Sequence, residues 1–150
     1  MGLFSNLRKA TNGVDTAEAT AKAVLSMPLM VAAADGQIDD AEIHQILNMC
    51  AFSPIFHAVG AERTHKLAEE AVAVLKTKGA EALFTDVKDA LSPNMVETAM
   101  CFAIRTSLAD GRLDESEKTM LIAMGQRLGL PQDTFVKIFE VMMMLQRPAT

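Results

Sequence analysis

A short acidic turn that occurs twice constrains the fold of this chain more than any other feature of its sequence. The first copy spans residues 34–42 and the second spans residues 109–117, and both fit the pattern A-D-G-x-[IL]-D-[DE]-x-E. Each copy comes after a long apolar segment and precedes an amphipathic one. The pattern therefore predicts a duplicated helix–turn–helix unit. Since only two copies exist, we expect a compact bundle and not a solenoid.

The composition predicts that the whole fold is all-α. Hydrophobic residues make up 50% of the chain and aromatic residues 5%, with Ala, Leu and Met in place of the aromatic and β-branched residues that strands favour. We expect a bundle of about seven or eight helices in a single domain over residues 1–150. The two helix–turn–helix repeats, about 15–51 and 93–128, should be related by an approximate two-fold axis.

Capping residues, glycines and prolines predict where the helices begin and end. An amphipathic opening helix over residues 3–12 is predicted to end at Gly13, and Asp15 is predicted to cap a long buried helix that runs to about Ala34. Pro28 should kink that helix. The apolar periodicity predicts further helices at about 40–51, 54–60, 61–77, 80–91, 93–109, 115–128 and 131–145.

Charge and missing motifs argue against several classes of function. The formal net charge of -5 disfavours a nucleic-acid partner but is compatible with metal cations or basic partners. No charge-free run is long enough to span a bilayer. No phosphate-binding loop, dinucleotide-binding motif or nucleophile elbow is present, so we do not expect an enzyme. Cys50 and Cys101 fall inside predicted helices and no signal peptide precedes them, which favours reduced core cysteines in a cytoplasmic protein.

Helix capping is the first interpretation of the two acidic turns. Asp39 and Asp114 stand where N-cap residues are expected. Glu42 and Glu117 stand three residues later, at the position that closes a capping box. The Asp-Gly pair before each cap also suits the end of the preceding helix. Capping therefore accounts for these carboxylates without any ligand.

Metal binding is the second interpretation. The pattern matches the second half of an EF-hand calcium loop, but Val31 and Ala33 in the first copy, and Thr106 and Leu108 in the second, replace its first two oxygen ligands. Neither turn can therefore be an EF-hand. A site for Ca²⁺ or a similar divalent cation would have to pool carboxylates from both copies, which would also relieve their mutual repulsion. The candidate ligands are Asp35, Asp39, Glu42, Asp110, Asp114 and Glu117.

Two weaker candidates for a metal site are also present. Asp40 and His44 stand one helical turn apart and could chelate zinc, although the second copy has other residues at these two positions. The run of residues 142–144 is three methionines and could offer soft ligands. Three consecutive residues cannot share one helix face, so packing in the core or in a homodimer is the favoured interpretation.

The twin A-D-G-x-[IL]-x-x-x-E turns, in a helical chain of this length, resemble the TerB-like tellurite-resistance proteins. The resemblance covers nearly the whole chain, including the short basic opening that contains Phe4. It implies an all-helical, pseudo-two-fold domain in the cytoplasm, with an acidic surface proposed to bind metal at the six positions named above. It also implies a part in stress-response systems, within membrane-associated assemblies and not as an enzyme.

These features support two hypotheses about function. The first is a metal-associated stress-response binding module whose two acidic turns form one pooled site. The second is a protein-interaction scaffold in a membrane-associated complex, where the acidic residues act only as helix caps and as a docking surface. Under both we expect protein partners, including membrane-bound components of a stress complex. We also expect a location in the cytoplasm or at the inner face of the membrane.

Overall fold

The computed structural model describes residues 3–34, 36–109 and 113–149, with side chains from residue 16 onward within these ranges. Over these residues the chain forms helices and no strand, which confirms the predicted all-α fold. The two-fold relation between the repeats stays a prediction. The helices of the described part are α1 (Leu3–Ala32), α2 (Asp40–Cys50), α3 (Pro54–Val59), α4 (Ala61–Lys78), α5 (Ala80–Ala90), α6 (Pro93–Leu108), α7 (Glu115–Arg127) and α8 (Gln132–Leu145).

The first helix is longer than predicted because Gly13 does not end it. α1 runs without a break from Leu3 to Ala32 and joins the predicted opening helix to the long buried one. The predicted stop at Gly13 and the predicted cap at Asp15 are therefore wrong, since both residues lie inside the helix. A glycine in a helix interior costs about 1 kcal/mol relative to alanine. Starting a second helix would cost a new nucleation step, so continuing through the glycine is favoured.

The second half of α1 lies at the centre of the fold. α1 is in contact with α2, α3, α4, α5 and α6, and its most extensive contact is with α6. Leu25, Met27 and Leu29 of this segment are among the largest fully buried side chains of the described residues. A helix that is apolar on nearly every side has no face to offer to water, so the other helices are arranged around it.

Pro28 lies within this buried segment and does not end the helix. Its ring is fully buried, and its nitrogen cannot donate the hydrogen bond that the carbonyl of Val24 would otherwise accept. Ser26, which is also buried, donates from Oγ to the carbonyl of Lys22 at 2.6 Å. The buried hydroxyl is thereby satisfied within the helix, as a buried polar group requires.

Local signals set the ends of the outer helices, as the sequence predicts. Ser53 and Ser92 accept hydrogen bonds from backbone N–H groups of α3 and α6, and each precedes a proline in the first turn. The inward face of α4 is buried at Leu67, Ala68 and Ala71. α8 packs mainly against α6.

The two cysteines act as packing residues. Cys50 is buried and Cys101 is half-buried, and both are free thiols. Burial raises the pKa of the Cys50 thiol to about 12, and it also raises the pKa of Cys101. A thiol whose pKa is raised by burial stays protonated at neutral pH, so neither side chain is activated as a nucleophile.

A pair of glycine substitutions tests the continuity of α1. Gly13→Ala should raise the free energy of unfolding by about 0.5–1 kcal/mol, because alanine is the better residue in a helix interior. Gly36→Ala should lower it, because Gly36 has a φ of +106°, which an alanine rarely adopts. Urea denaturation of both variants measures the two changes. A loss of stability in Gly13→Ala would contradict an unbroken helix.

Candidate functional site

Each of the two most extensively packed helices ends where an acidic turn begins. α1 ends at Ala32 and α6 ends at Leu108. In the first turn, Gly36 donates its N–H to the carbonyl of Ala33 at 3.0 Å, and its positive φ redirects the chain toward α2. Asp35 lies outside the described residues, as do Asp110, Gly111 and Arg112 of the second turn.

The first turn closes with the predicted capping box at the start of α2. The Asp39 carboxylate accepts a hydrogen bond from the N–H of Glu42 at 2.8 Å. The Glu42 carboxylate accepts one from the N–H of Asp39 at 3.0 Å. These two bonds satisfy donors that the helix itself leaves unpaired. Ile38 and Ile43, which stand on either side of this cap at the positions of a hydrophobic staple, both pack against the core.

The second turn caps α7 through the equivalent aspartate. Oδ1 of Asp114 accepts hydrogen bonds from the N–H of Glu117 at 2.7 Å and from Oγ of Ser116 at 2.8 Å. These bonds favour the charged form, and they lower the pKa of the Asp114 carboxyl below its ordinary value. Lys118 stands where the first copy has Ile43, and its ammonium lies 5.9 Å from the centre of the Phe139 ring. A cation–π contact therefore takes the place of the staple.

Each cap bond of the described residues uses one oxygen of its carboxylate. Asp39 and Asp114 use Oδ1 for their caps, and Glu42 uses Oε2. A carboxylate has two oxygens that can accept, so the second oxygen can ligate a metal while the cap persists. The capping and metal-binding interpretations are therefore compatible at the level of single atoms.

The described residues do not by themselves form a preassembled metal centre. Among them, no three His, Cys, Asp or Glu side chains are grouped so that they could hold one ion. Four of the six predicted ligands are described, at the starts of α2 and α7, and the other two, Asp35 and Asp110, lie outside the described residues. The pooled site stays a prediction.

A cleft of about 880 Å³ lies beside the first turn, and no sequence pattern predicts it. It is lined by Gly36, Gln37 and Ile38 of the turn, and by residues of α1, α4, α5 and α7. Met120 and Met124 are among the contributions of α7, the helix that the second turn starts. The first turn and this helix therefore open onto one surface. The volume falls in the range of small-molecule sites.

An ion pair holds one wall of this cleft. The guanidinium of Arg127 donates two hydrogen bonds of 2.8 Å to the two carboxylate oxygens of Glu81. Its central carbon also lies 4.2 Å from the centre of the Phe84 ring. The bond to Arg127 lowers the pKa of Glu81, and the bond to Glu81 raises the pKa of Arg127. The pair joins α5 to α7, and its partners are too far apart in the sequence for any periodicity to connect them.

The structure also shows how the side chains of the two weaker metal candidates are placed. Nδ1 of His44 bonds to the backbone carbonyl of Asp40 at 2.7 Å, so the predicted pair is joined through the main chain and not through the carboxylate. Met142 packs against the core, whereas Met143 and Met144 are 44% and 52% exposed. The three methionines therefore do not converge on one point, as the helical spacing predicts.

Comparison with known proteins decides the family. The sequence profile described as "Tellurite resistance protein TerB" matches residues 21–139, which is most of the chain. The chain belongs to the TerB family. Neither a curated protein nor a solved structure shows significant similarity to it. The match to the TerB profile spans both acidic turns and every helix from the buried half of α1 to most of α8, which confirms the resemblance that the twin turns indicate. Over the described residues, no helix has the length and apolar character needed to cross a membrane.

The lowered pKa of Asp114 predicts a pH dependence of stability. A carboxyl whose pKa is lower in the folded than in the unfolded state stabilises the fold above the unfolded pKa. That stabilisation is lost as the pH falls through the folded pKa. Acid should therefore cost the wild type more stability than Asp114→Asn, which keeps an acceptor for the cap but does not titrate. Urea midpoints measured between about pH 2 and 7 check this difference, and equal losses in the two proteins would contradict it.

Proposed function

We propose that the protein is a metal-associated binding module of a tellurite-resistance-like stress response, in which the two acidic turns share one cation site. Membership in the TerB family supports the role in stress response. The observation behind the shared site is that Gln37 and Ile38 of the first turn and Met120 of the helix started by the second turn line one cleft, although none of the four proposed ligands that the structure describes lines it. The proposed ligands are Asp35, Asp39, Glu42, Asp110, Asp114 and Glu117.

The electrostatics of the turns favour a hard divalent cation such as Ca²⁺. Ca²⁺ takes carboxylate and carbonyl oxygens in flexible geometry, and these turns are rich in both. The lowered pKa of Asp114 keeps that carboxylate charged at neutral pH. Because acidic side chains outnumber basic ones in the chain, with a net charge of -5, a bound cation would relieve repulsion among the carboxylates.

The remaining parts of the proposal concern partners and location. The protein acts in the cytoplasm, or at the inner face of the membrane, by binding protein components of a membrane-associated stress complex. It carries out no catalysis, since no nucleophile is activated in the described part of the chain. It does not bind nucleic acid, because its charge has the wrong sign. The proposal includes a homodimer that forms through exposed apolar side chains of α8, among them Val136, Val141 and Leu145.

Calcium should stabilise the protein through the turns. A ligand that binds only the folded state at a hundred times its Kd adds about 2.7 kcal/mol, which for a domain of this size raises Tm by roughly 5–10 °C. The double variant Asp39→Asn with Asp114→Asn should lose this increase. Asparagine caps a helix about as well as aspartate, so the variant removes the charges and keeps the caps. Calorimetry with and without millimolar CaCl₂ measures the shift.

A charge-matched control completes that experiment. Asp86→Asn with Asp133→Asn removes two exposed carboxylates that lie outside the two turns in the sequence, and it should leave the calcium response unchanged. A wild-type Tm that no divalent cation raises would overturn the shared site. An equal loss of the calcium response in the control variant would mean that the response depends on the net charge of the protein and not on the acidic turns.

The hydrogen bonds of the caps favour a second candidate function, that of a protein-interaction scaffold. Asp39, Glu42 and Asp114 each have a structural use that needs no ligand. Under this alternative the turns are caps and a docking surface for a partner in a membrane-associated complex. The cleft and the exposed apolar side chains of α8 would then serve contact with proteins.

The scaffold alternative makes its own prediction at Asp39. Asp39→Ala should lower the free energy of unfolding by about 1 kcal/mol, equally with CaCl₂ and with a chelator, because only the cap is lost. Asp39→Asn should be close to the wild type. Under the shared site, both variants would lower the gain that CaCl₂ gives. Urea denaturation of the two variants in the two buffers separates the alternatives.

A further inference from the structure

The cleft beside the first acidic turn has an apolar interior. Met30, Phe84 and Met124 line it and are buried side chains of the core. Ile38 and Met120 also line it, and they are partly buried against the same core. Five parts of the fold surround the cleft, namely the first turn, α1, α4, α5 and α7. A concave space with walls on so many sides fits a compact small molecule better than a partner helix, which needs a long groove.

Three of the apolar side chains that line the cleft are methionines, Met30, Met120 and Met124. A methionine side chain has three rotatable bonds and a polarisable sulfur, so a wall of methionines adapts to apolar groups of different shape. The interior of the cleft therefore suits a flexible apolar group such as an alkyl chain.

The charges around the cleft favour an anion. Among the described residues that line it, the ionisable side chains are Lys76, Glu81 and Arg127. Glu81 and Arg127 neutralise each other through two hydrogen bonds of 2.8 Å. Lys76 is exposed and takes part in no ion pair among the described residues. The described lining therefore carries one uncompensated positive charge, although the chain as a whole has a net charge of -5.

Arg127 keeps hydrogen-bond donors for a ligand while it holds the wall of the cleft. A guanidinium has five N–H donors, and the bonds to Glu81 use two of them. The contact with the Phe84 ring, at 4.2 Å from its centre, also fixes the place of the guanidinium before a ligand arrives. A group that is held in advance loses little entropy on binding.

We propose that this cleft binds a small amphipathic carboxylate, which is a molecule with an apolar body and one carboxylate group. The apolar body lies against Met30, Phe84 and Met124, and the carboxylate lies at the exposed edge against Lys76. Burial of the body drives binding, and the positive charge selects an anion. The proposal does not rest on the cation site of the acidic turns, since Asp39 and Asp114 are not part of the lining.

Isothermal titration of the full chain with octanoate, and separately with octan-1-ol, tests the site. The two probes have the same alkyl chain, but only octanoate carries a charge. We expect one octanoate per chain. Lys76→Met should weaken the binding of octanoate roughly fivefold, which is the upper size of an exposed ion pair, and should leave the binding of octan-1-ol unchanged. Lys78→Met removes an exposed lysine outside the lining and is the matched control.

Two further variants act on the space and on the charge of the cleft. Ala123 lines the cleft and is exposed, so Ala123→Phe should fill the space without disturbing the core. It should weaken the binding of both probes at least about tenfold, because the ligand and the ring would compete for one volume. Ala61→Phe, at an exposed alanine outside the lining, is its control. Glu81→Gln removes a negative charge from the lining and should tighten the binding of octanoate alone.

The same variants separate this site from the acidic turns. Lys76→Met and Ala123→Phe should keep the full response of Tm to CaCl₂, whereas Asp39→Asn with Asp114→Asn should keep the affinity for octanoate. Circular dichroism should show that all the variants fold like the wild type.

Three results would overturn the proposal. If the wild type binds no octanoate at millimolar concentrations, the cleft is left to the protein contacts of the scaffold alternative. If Ala123→Phe leaves octanoate binding unchanged, the probe lies on another apolar surface, such as α8. If Lys76→Met and Lys78→Met weaken octanoate binding equally, the carboxylate is not recognised at the cleft.

Discussion

The packing of α6 against the buried half of α1 is the interaction on which the rest of the fold depends. α2, α3, α4 and α5 contact α1 directly, while α7 and α8 are held mainly through α6. Ala99, Ala103 and Ile104 of α6 are completely buried. Each helix of this central pair ends where an acidic turn begins, so the burial of apolar surface that stabilises the bundle also fixes where the two turns leave it.

The acidic turns cap the helices that follow them, and each capping carboxylate has a second oxygen beside the one that its described cap bond uses. One oxygen of Asp39 and one of Asp114 accept from backbone N–H groups that the helices cannot satisfy. Under the proposed shared site a cap and a cation would stabilise the same arrangement, because the negative charge that a helix N-terminus favours is also the charge that a hard cation binds.

The surface around this scaffold is organised by pairs that are distant in the sequence. Arg127 and Glu81 join α7 to α5 at the wall of the cleft, and the rings of His44 and His65 lie near each other on the surface between α2 and α4. The ion pair is exposed and contributes little to stability. Its consequence is geometric, since it keeps the guanidinium on the Phe84 ring and fixes one side of the cleft.

The sequence by itself determined the all-α class, the family and nearly every helix boundary. Serine and aspartate caps, glycines and prolines act within a few residues of where they stand, so their effects can be read locally. Gly13 is the exception, because whether a glycine ends a helix depends on the helix-forming strength of the residues on its C-terminal side. Only the tertiary structure decided the cleft, the Arg127–Glu81 pair and the meeting of His44 with His65. These depend on how helices pack across the core, and a periodic pattern tells which face a helix buries but not which neighbour it meets.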